Sequence, residues 1–149
     1  MSNVYKVISI KKINTNEGNL FMIFRDWDQY HGGYQPKMVY ATTLNPNSIK
    51  GPILHKQRSY FLTAISGKVA IELLDENKQL INIKLFDDHD KDEFKILMIE
   101  PGNPIRILNL STDETATVIN CASKAWHPDD QDTWKWNSWD DYKSQLETR

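Results

Sequence analysis

The strongest constraint on the fold is a succession of short β-type runs that are separated by turn-forming residues. Each run is rich in apolar or β-branched residues or alternates between apolar and polar positions, and connections such as Ser66-Gly67-Lys68 contain glycine or asparagine. Runs of this length and spacing predict a β-sandwich or a β-barrel. We expect nine strands, at residues 4–10, 20–24, 38–43, 59–65, 69–74, 80–85, 95–99, 104–109 and 115–121.

A single helix is predicted, near the end of the chain. Ser138 is suited to be its N-cap and Asp141 follows three positions later, so we expect a short helix at 138–146. No linker or repeat divides the 149 residues, and one domain of this size buries enough surface to form its own core. The sequence therefore predicts one all-β domain, 1–149, with a short C-terminal helix.

The charge balance limits the partners of the chain. It has 18 basic and 20 acidic residues, whereas proteins that bind nucleic acids or membrane surfaces show a basic excess. No apolar run approaches the roughly 18 residues of a membrane span. Cys121 is the only cysteine, and the N-terminal residues show no secretion signal. We therefore expect a cytoplasmic protein with a small-molecule partner, no nucleic acid and no membrane.

The segment 124–149 contains four of the five tryptophans. The part of it that precedes the predicted helix shows no strand pattern, and we expect that part to be irregular. Aromatic side chains at this density either cover a pocket or contact a partner, or else they fix the segment to the barrel wall. The sequence leaves these alternatives open.

The stretch from Gly51 to Gly67 brings polar and cationic groups into a strand that ends in a glycine turn. It resembles the first motif of the cupins, which are small jelly-roll β-barrels, where a glycine precedes His-x-His, a glutamate and a second glycine. His55 matches the second histidine, while Ile53 and Tyr60 stand at the positions of the first histidine and of the glutamate. The resemblance implies a cupin-type jelly-roll barrel with a pocket around His55.

A second cupin motif is matched at residues 101–109. Gly102 and Asn109 are present, but Ile105 stands where the last metal-binding histidine would lie. A metal site needs three or four converging N, O or S donors, and of the four cupin ligands His55 alone remains. We therefore predict a cupin without a metal and without another cofactor.

The order of several weaker motifs resembles two groups of cupin enzymes, the dTDP-4-dehydrorhamnose 3,5-epimerases and the dTDP-4-keto-6-deoxyhexose 3,4-ketoisomerases. Residues 16–21 are similar to an Asp-x-Arg-Gly-x-Phe segment of these enzymes, and Lys50-Gly51 with His55-Lys56 fits the ketoisomerase spacing Arg-Gly-x-x-x-His-Lys. Residues 121–130 are similar to the end of the last barrel strand of the epimerases. The resemblance implies proton transfer next to the ketone of a nucleotide-activated sugar.

The resemblance also implies roles for individual residues. His55 takes the position of the general base, which suits histidine because its ordinary pKa lies near neutral pH. Tyr60 stands where the epimerases have a lysine that stabilises the enolate, and a phenol can donate the same hydrogen bond. Lys50 stands where their arginine binds the diphosphate, and Tyr40 lies on a strand that contacts the substrate. Two arginines are further candidates for substrate binding: Arg58 and Arg25.

Two proton carriers of the known enzymes are absent. The tyrosine on the last strand of the epimerases would fall near Ile119 or Asn120, and the first histidine of the ketoisomerases corresponds to Ile53. The sequence therefore supports two hypotheses: a metal-independent epimerase or ketoisomerase of a dTDP-linked 4-keto-6-deoxyhexose, or a non-catalytic cupin that binds a carbohydrate or sugar nucleotide. A homodimer is expected, because the family pairs through an N-terminal strand and the strand at 4–10 is costly to leave unpaired.

Overall fold

The structure is a computed structural model that describes residues 4–27, 35–86 and 92–147. These residues form a predominantly β fold with one C-terminal helix, which confirms the predicted fold class. The strands are β1 (Tyr5–Lys11), β2 (Ile13–Thr15), β3 (Gly18–Leu20), β4 (Met38–Leu44), β5 (Ile49–His55), β6 (Tyr60–Ser66), β7 (Val69–Leu74), β8 (Leu80–Phe86), β9 (Glu93–Ile99), β10 (Ile105–Asn109), β11 (Ala116–Ala122) and β12 (Thr133–Lys135), and the helix is α1 (Trp139–Glu147).

Two antiparallel sheets of five strands each form the barrel, and β2 and β3 form a separate hairpin. The first sheet has the order β1-β9-β6-β11-β4 and the second the order β12-β5-β10-β7-β8. From β4 onward the chain passes repeatedly from one sheet to the other, which is the connectivity of a jelly roll. The main core fills the space between the sheets with fully buried side chains such as Leu62, Ile71 and Leu97. The predicted cupin-type jelly roll is therefore confirmed.

The predicted strand at 20–24 is wrong. The hairpin strand β3 ends at Leu20, and residues 21–25 belong to no strand. Phe21, Ile23 and Phe24 instead pack against an outer cluster of buried side chains on β6, β9 and β11, which includes Phe61, and Phe21 also contacts the main core. The run is apolar because it covers the first sheet, and covering a sheet does not require a backbone ladder.

The strand β5 was not predicted, because it contains Gly51-Pro52 and a proline within a run argues against a strand. The ladder with β10 accommodates the proline through a shift of register between Ile105 and Ile107, where β5 has one residue more than β10. Gly51 has a φ of +108°, and a Cβ at this position would lie 2.7 Å from the carbonyl oxygen of Ile105. This β-bulge therefore requires glycine.

The strand β12 was also missed, since the sequence predicts an irregular segment there. It pairs with β5, with Thr133 opposite His55 and Lys135 opposite Ile53. Three residues are too few for a strand pattern to stand out in a sequence. The pairing attaches the C-terminal segment to the second sheet.

The helix α1 begins as the sequence predicts. The hydroxyl of Ser138 accepts a hydrogen bond from the backbone N–H of Asp141 at 3.0 Å, and an N-cap of this kind contributes about 1 kcal/mol. Three of the four C-terminal tryptophans fix the segment to the barrel in a second small core: Trp134, Trp136 and Trp139 with Tyr142, Leu54 and Leu74. In the ranges that the structure describes, no helix is long and apolar enough to cross a membrane.

Candidate active site

A cavity of about 340 Å³ lies between β4, β5 and β12. A concave site with a few converging polar groups is the usual form of a small-molecule site. Four of the residues predicted from the sequence line it: Tyr40, Lys50, His55 and Arg58. The C-terminal segment contributes Trp126, Thr133 and Lys135, and Met38 and Ile53 add apolar side chains.

The bulge in β5 brings Lys50 and His55 to the same cavity. Side chains alternate between the two faces of a strand, so residues five positions apart in a regular strand point to opposite faces. The additional residue at Gly51-Pro52 reverses the alternation, and Lys50, Ile53 and His55 all line the cavity. The bulge therefore determines which cation accompanies the histidine.

His55 is held by hydrogen bonds from two other parts of the chain. The backbone N–H of Gly102 donates to the His55 carbonyl at 2.7 Å, and the hydroxyl of Thr133 lies 3.0 Å from Nδ1. Among the described residues, Nε2 has no hydrogen-bond partner, so it is the ring nitrogen left for a ligand. When Nδ1 donates its proton to Thr133, Nε2 presents the lone pair that a general base needs.

The surroundings of His55 keep its imidazole neutral. Burial and then the positive charge of Arg58 lower the pKa of His55 to about 4, and the carboxylate of Asp132 offsets this only in part. Lys135 and Lys50 lower the pKa of the imidazole further. A neutral imidazole accepts a proton at pH 7 without first having to lose one.

Arg58 is a buried cation rather than a solvated surface charge. Its Nε lies 2.6 Å from Oδ2 of Asp132, and the two side chains are 3% and 0% exposed. Burial alone would raise the pKa of Asp132, but hydrogen bonds from Arg58 and from the backbone N–H of Gln57, together with the arginine charge, lower it. Asp132 therefore stays ionised and holds the guanidinium at the cavity wall.

Two tyrosines extend the site into the barrel. The ring of Tyr60 meets the ring of His55 edge-on, with 5.1 Å between the ring centroids. Burial raises the pKa of Tyr60 well above its usual value, and the neighbouring Tyr40 raises it further. Burial also raises the pKa of Tyr40, although Arg58 acts in the opposite direction. Both phenols therefore keep their protons at neutral pH and are available as hydrogen-bond donors.

Two lysines on neighbouring strands add positive charge to the cavity. Lys50 lies on β5 and Lys135 on β12, and both line the cavity wall. Burial, and after it the charge of Lys135, lowers the pKa of Lys50. Two ammonium groups that repel each other in this way attract an anion with several negative charges.

The sequence prediction missed four residues of the site. Asp132, Thr133 and Lys135 lie in the segment that was expected to be irregular, and Trp126, which is 57% exposed, lies at the cavity mouth. Thr133 and Lys135 flank a tryptophan that belongs to the second small core. This polar–aromatic–polar alternation was the one available signal of a strand with one face toward a pocket.

Arg25 does not line the cavity, although the sequence suggested it as a substrate-binding residue. Its guanidinium lies over the ring of Trp27, 4.1 Å from the ring centroid. Arg25 and Trp27 directly follow the segment 21–24, which covers the face of the first sheet that points away from the main core. Within one chain, Arg25 is therefore not placed to contact a substrate in this cavity.

The donor set of the cavity suits proton transfer and anion binding. Within residues 4–27, 35–86 and 92–147, no three His, Cys, Asp or Glu side chains are placed to hold a metal ion. Ile53 and Ile105, which stand at two cupin ligand positions, are buried opposite each other in the β5–β10 ladder. The titratable and charged groups that line the cavity are one imidazole, one phenol, two ammonium groups and one guanidinium. The phenol is that of Tyr40, since Tyr60 is buried behind His55 and does not line the cavity.

Solved structures share this fold over most of their length. QdtA, a sugar 3,4-ketoisomerase from Thermoanaerobacterium thermosaccharolyticum in complex with TDP, has a TM-score of 0.70 at 21% identity, over 98% of this chain and 96% of that one. A dTDP sugar isomerase from Desulfovibrio desulfuricans has a TM-score of 0.70 at 17% identity, over 89% and 83%. The epimerase RmlC from Legionella pneumophila, in complex with dTDP-4-keto-L-rhamnose, has a TM-score of 0.73 at 14% identity, over 91% and 74%.

The two-sheet barrel and its cavity define a cupin-type fold with a cationic pocket around one histidine. A comparison with curated proteins found no matching sequence. The family model FdtA, described as WxcM-like, C-terminal, matches residues 3–142, and the chain belongs to this family.

Proposed function

We propose that the chain is a metal-independent isomerase of a dTDP-linked 4-keto-6-deoxyhexose, in which a proton is transferred next to the ketone. The observation that carries this proposal is His55, a neutral imidazole with Nδ1 fixed and Nε2 available in a cationic cavity. The similar fold of a sugar 3,4-ketoisomerase and of a dTDP-sugar epimerase supports the same substrate class.

A single base favours 3,4-ketoisomerisation over epimerisation. His55 removes the proton from the hydroxyl-bearing carbon beside the ketone. The electron pair of that C–H bond forms a C=C bond, the π pair of the ketone moves onto its oxygen, and the product of this step is an enediolate. The hydroxyl group on the carbon that lost its proton then passes its own proton to the former carbonyl oxygen. The imidazolium returns its proton to the former carbonyl carbon, and the ketone has moved to the neighbouring carbon. Inversion at one carbon would instead need an acid on the opposite face of the sugar. The epimerases have a tyrosine for this purpose, and Ile119 or Asn120 stands near its position here. Ile119 packs in the outer cluster of the first sheet, and neither side chain can donate and take back a proton.

The cavity offers separate places for the parts of such a substrate. Lys50 and Lys135 bind the diphosphate by charge, and the exposed ring of Trp126 gives the base a surface for stacking. The sugar is then directed toward His55. The buried hydroxyl of Tyr60 stabilises the negative charge that develops on the ketone oxygen.

The test is turnover of dTDP-4-keto-6-deoxyglucose in heavy water, followed by NMR. We expect the ketone to move to the neighbouring carbon and deuterium to enter at the former carbonyl carbon, to the extent that the imidazolium exchanges with solvent. The variant His55→Gln removes the base, and kcat should fall by about 100-fold or more. The matched control is His127→Gln, which changes a histidine with a 71% exposed side chain and should leave kcat unchanged.

Other products would identify other functions. Deuterium at C3 or C5 with inverted configuration and an unmoved ketone would identify an epimerase. Binding of the sugar nucleotide without deuterium incorporation and without a shift of the ketone would contradict the isomerase and would favour the non-catalytic cupin.

We also propose that the protein acts as a homodimer in the cytoplasm. β1 is the edge strand of the first sheet and pairs with β9 along its whole length. Its other edge has no partner strand among the described residues, and a long open edge attracts a second strand. Pairing through β1 predicts twice the monomer mass in light scattering, and elution at the monomer mass would contradict it.

A further inference from the structure

The described part of the chain contains four buried side-chain atoms that lack a hydrogen-bond partner: Arg58 Nη2, Tyr60 OH, Asn120 Oδ1 and Asp130 Oδ2. Buried polar atoms are nearly always paired, because an unpaired one loses its contact with water without compensation. Three of these four atoms lie at or next to the candidate site, because Arg58 lines the cavity, Tyr60 contacts His55 and Asn120 is paired with Tyr40. This concentration indicates that a ligand supplies their missing partners.

Asn120 faces the interior of the barrel beside a residue that lines the cavity. On β11, Val118 and Ala122 belong to the main core, whereas Cys121 belongs to the outer cluster. Alternation along the strand therefore turns Asn120 inward. It lies directly opposite Tyr40 in the β11–β4 ladder, and paired residues on one face have Cβ atoms about 5 Å apart.

Asn120 also lies near Tyr60. The other neighbour of β11 is β6, where Asn120 is opposite Leu62, two residues from Tyr60 on the same face. Such diagonal neighbours are about 7–8 Å apart, within reach of an aromatic side chain. Asn120 is 7% exposed and Tyr60 is 2% exposed. Neither lines the cavity, so both lie in the barrel interior, directly behind the lining residues Tyr40 and His55.

The three unpartnered atoms differ in what they offer. The carbonyl oxygen of Asn120 accepts a hydrogen bond, Nη2 of Arg58 donates one, and the Tyr60 hydroxyl donates one as well. One acceptor next to two donors is complementary to a hydroxyl group beside a carbonyl group. That pair of groups is present in an α-hydroxy ketone.

We propose that Asn120 binds the hydroxyl group adjacent to the ketone of the sugar and thereby selects α-hydroxy-ketone sugars. The inference rests on the proposed function, since it concerns the sugar half of the same substrate. Asn120 is a substrate-binding residue in this assignment, and it holds the hydroxyl whose oxygen becomes the new ketone. In the sequence, Asn120 is distinguished only by its place near the position of the absent epimerase tyrosine.

The decisive variant is Asn120→Leu, which has a similar shape and no polar atoms. If Asn120 contacts the substrate, kcat/KM for dTDP-4-keto-6-deoxyglucose falls about tenfold to hundredfold. The affinity for dTDP, which has no sugar, stays unchanged. The melting temperature stays equal or rises, because an unpaired buried acceptor has been replaced by apolar atoms.

Two further variants complete the experiment. Asn120→Ser keeps a small hydrogen-bonding group and should recover part of the lost kcat/KM, and it provides the kinetic readout if the leucine variant does not fold. Ile119→Val is the matched control, since it lies on the same strand but packs in the outer cluster, and its kcat/KM should equal that of the wild type.

Three results would overturn the proposal. The first is an unchanged kcat/KM in Asn120→Leu. The second is an equal loss of affinity for dTDP and for the sugar nucleotide in that variant. The third is a lowered melting temperature of Asn120→Leu together with a kinetic loss of the same size in Ile119→Val. If the wild type turns over no sugar, the proposed function fails separately. Asn120 is then tested by binding, with the affinity for dTDP-glucose divided by the affinity for dTDP as the measured quantity. The proposal predicts that Asn120→Leu lowers this quotient, and an unchanged quotient refutes it.

Discussion

The hydroxyl of Thr133 lies 3.0 Å from Nδ1 of His55, and the two residues are directly opposite each other in the ladder between β12 and β5. A hydrogen bond at this nitrogen selects the tautomer and the orientation of the ring. The candidate base is therefore oriented by a strand of the C-terminal segment, which lies about 80 residues further along the chain. Catalysis should depend on this segment although it is outside the cupin motifs.

Removal of the Thr133 hydroxyl should slow the reaction without abolishing binding. Thr133→Val keeps the shape of the side chain but loses the hydrogen bond, and we expect kcat to fall about tenfold, the equivalent of a hydrogen bond of about 1.4 kcal/mol. Thr133→Ser restores the hydroxyl and should restore most of kcat. Steady-state kinetics with both variants, and dTDP affinity as the control, check this. Equal rates for the valine and serine variants would show that Thr133 only fills space.

Acidification from pH 7 to pH 4.5 should destabilise the protein through His55. The unfolded chain protonates this histidine near its ordinary pKa of about 6.5, whereas the folded chain does so near 4. The unfolded state therefore binds more protons between these values, and the free energy of unfolding falls by up to about 3 kcal/mol as the pH decreases through this window. The lowered pKa of Asp132 adds its own loss only at still lower pH. Urea unfolding at several pH values measures the slope, and His55→Gln should flatten it.

The buried pair of Arg58 and Asp132 should be costly to break from one side. Asp132→Ala leaves a guanidinium buried without its carboxylate, and we expect the free energy of unfolding to fall by about 3–5 kcal/mol. The double variant Arg58→Met, Asp132→Ala removes the uncompensated charge and should recover a large part of that loss. Urea denaturation of the wild type and the two variants measures both effects. An alanine variant as stable as the wild type would contradict the role assigned to the pair.

Neutralising either cavity lysine should weaken nucleotide binding and raise the pKa of His55. We expect Lys50→Met and Lys135→Met each to raise the Kd for dTDP about tenfold, since a hydrogen bond to a charged group contributes about 1.5–3 kcal/mol. Removing either positive charge also removes one cause of the lowered pKa. Calorimetry and NMR titration of the imidazole measure the two effects. Lys56→Met is the matched control, because that ammonium group lies over the ring of Trp134 and should affect neither quantity.

The sequence predicted the barrel and the centre of the site because both leave local signals. A nearly continuous apolar run marks β7 and apolar alternation marks β11. The motif around His55 identifies the histidine with its neighbours Lys50 and Arg58. The strand that supplies the partner of His55 leaves only a three-residue alternation, which is too short to predict it. Thr133 approaches through a three-residue strand, and a hydrogen bond between residues 78 positions apart depends on the tertiary fold.

The errors have physical causes of the same kind. The run 20–24 is apolar because Phe21 and Phe24 cover the first sheet, and hydrophobicity does not distinguish a covering segment from a strand. The sequence also does not show that the charge of Arg58 is buried, because its counterion, Asp132, lies in a segment without a strand pattern. Whether a charged side chain is buried depends on the segment that packs against it, and the sequence around the charged residue does not identify that segment.

The bulge at Gly51-Pro52 makes the site depend on the number of residues in β5 as well as on their kinds. Deleting Pro52 would give β5 an uninterrupted alternation and β10 a regular partner. Lys50 would then leave the cavity and face the other side of the sheet, although every side chain of the site would still be present in the sequence. In this family, a one-residue gap in an alignment at this position would therefore separate proteins that share the fold from those that share the ligand.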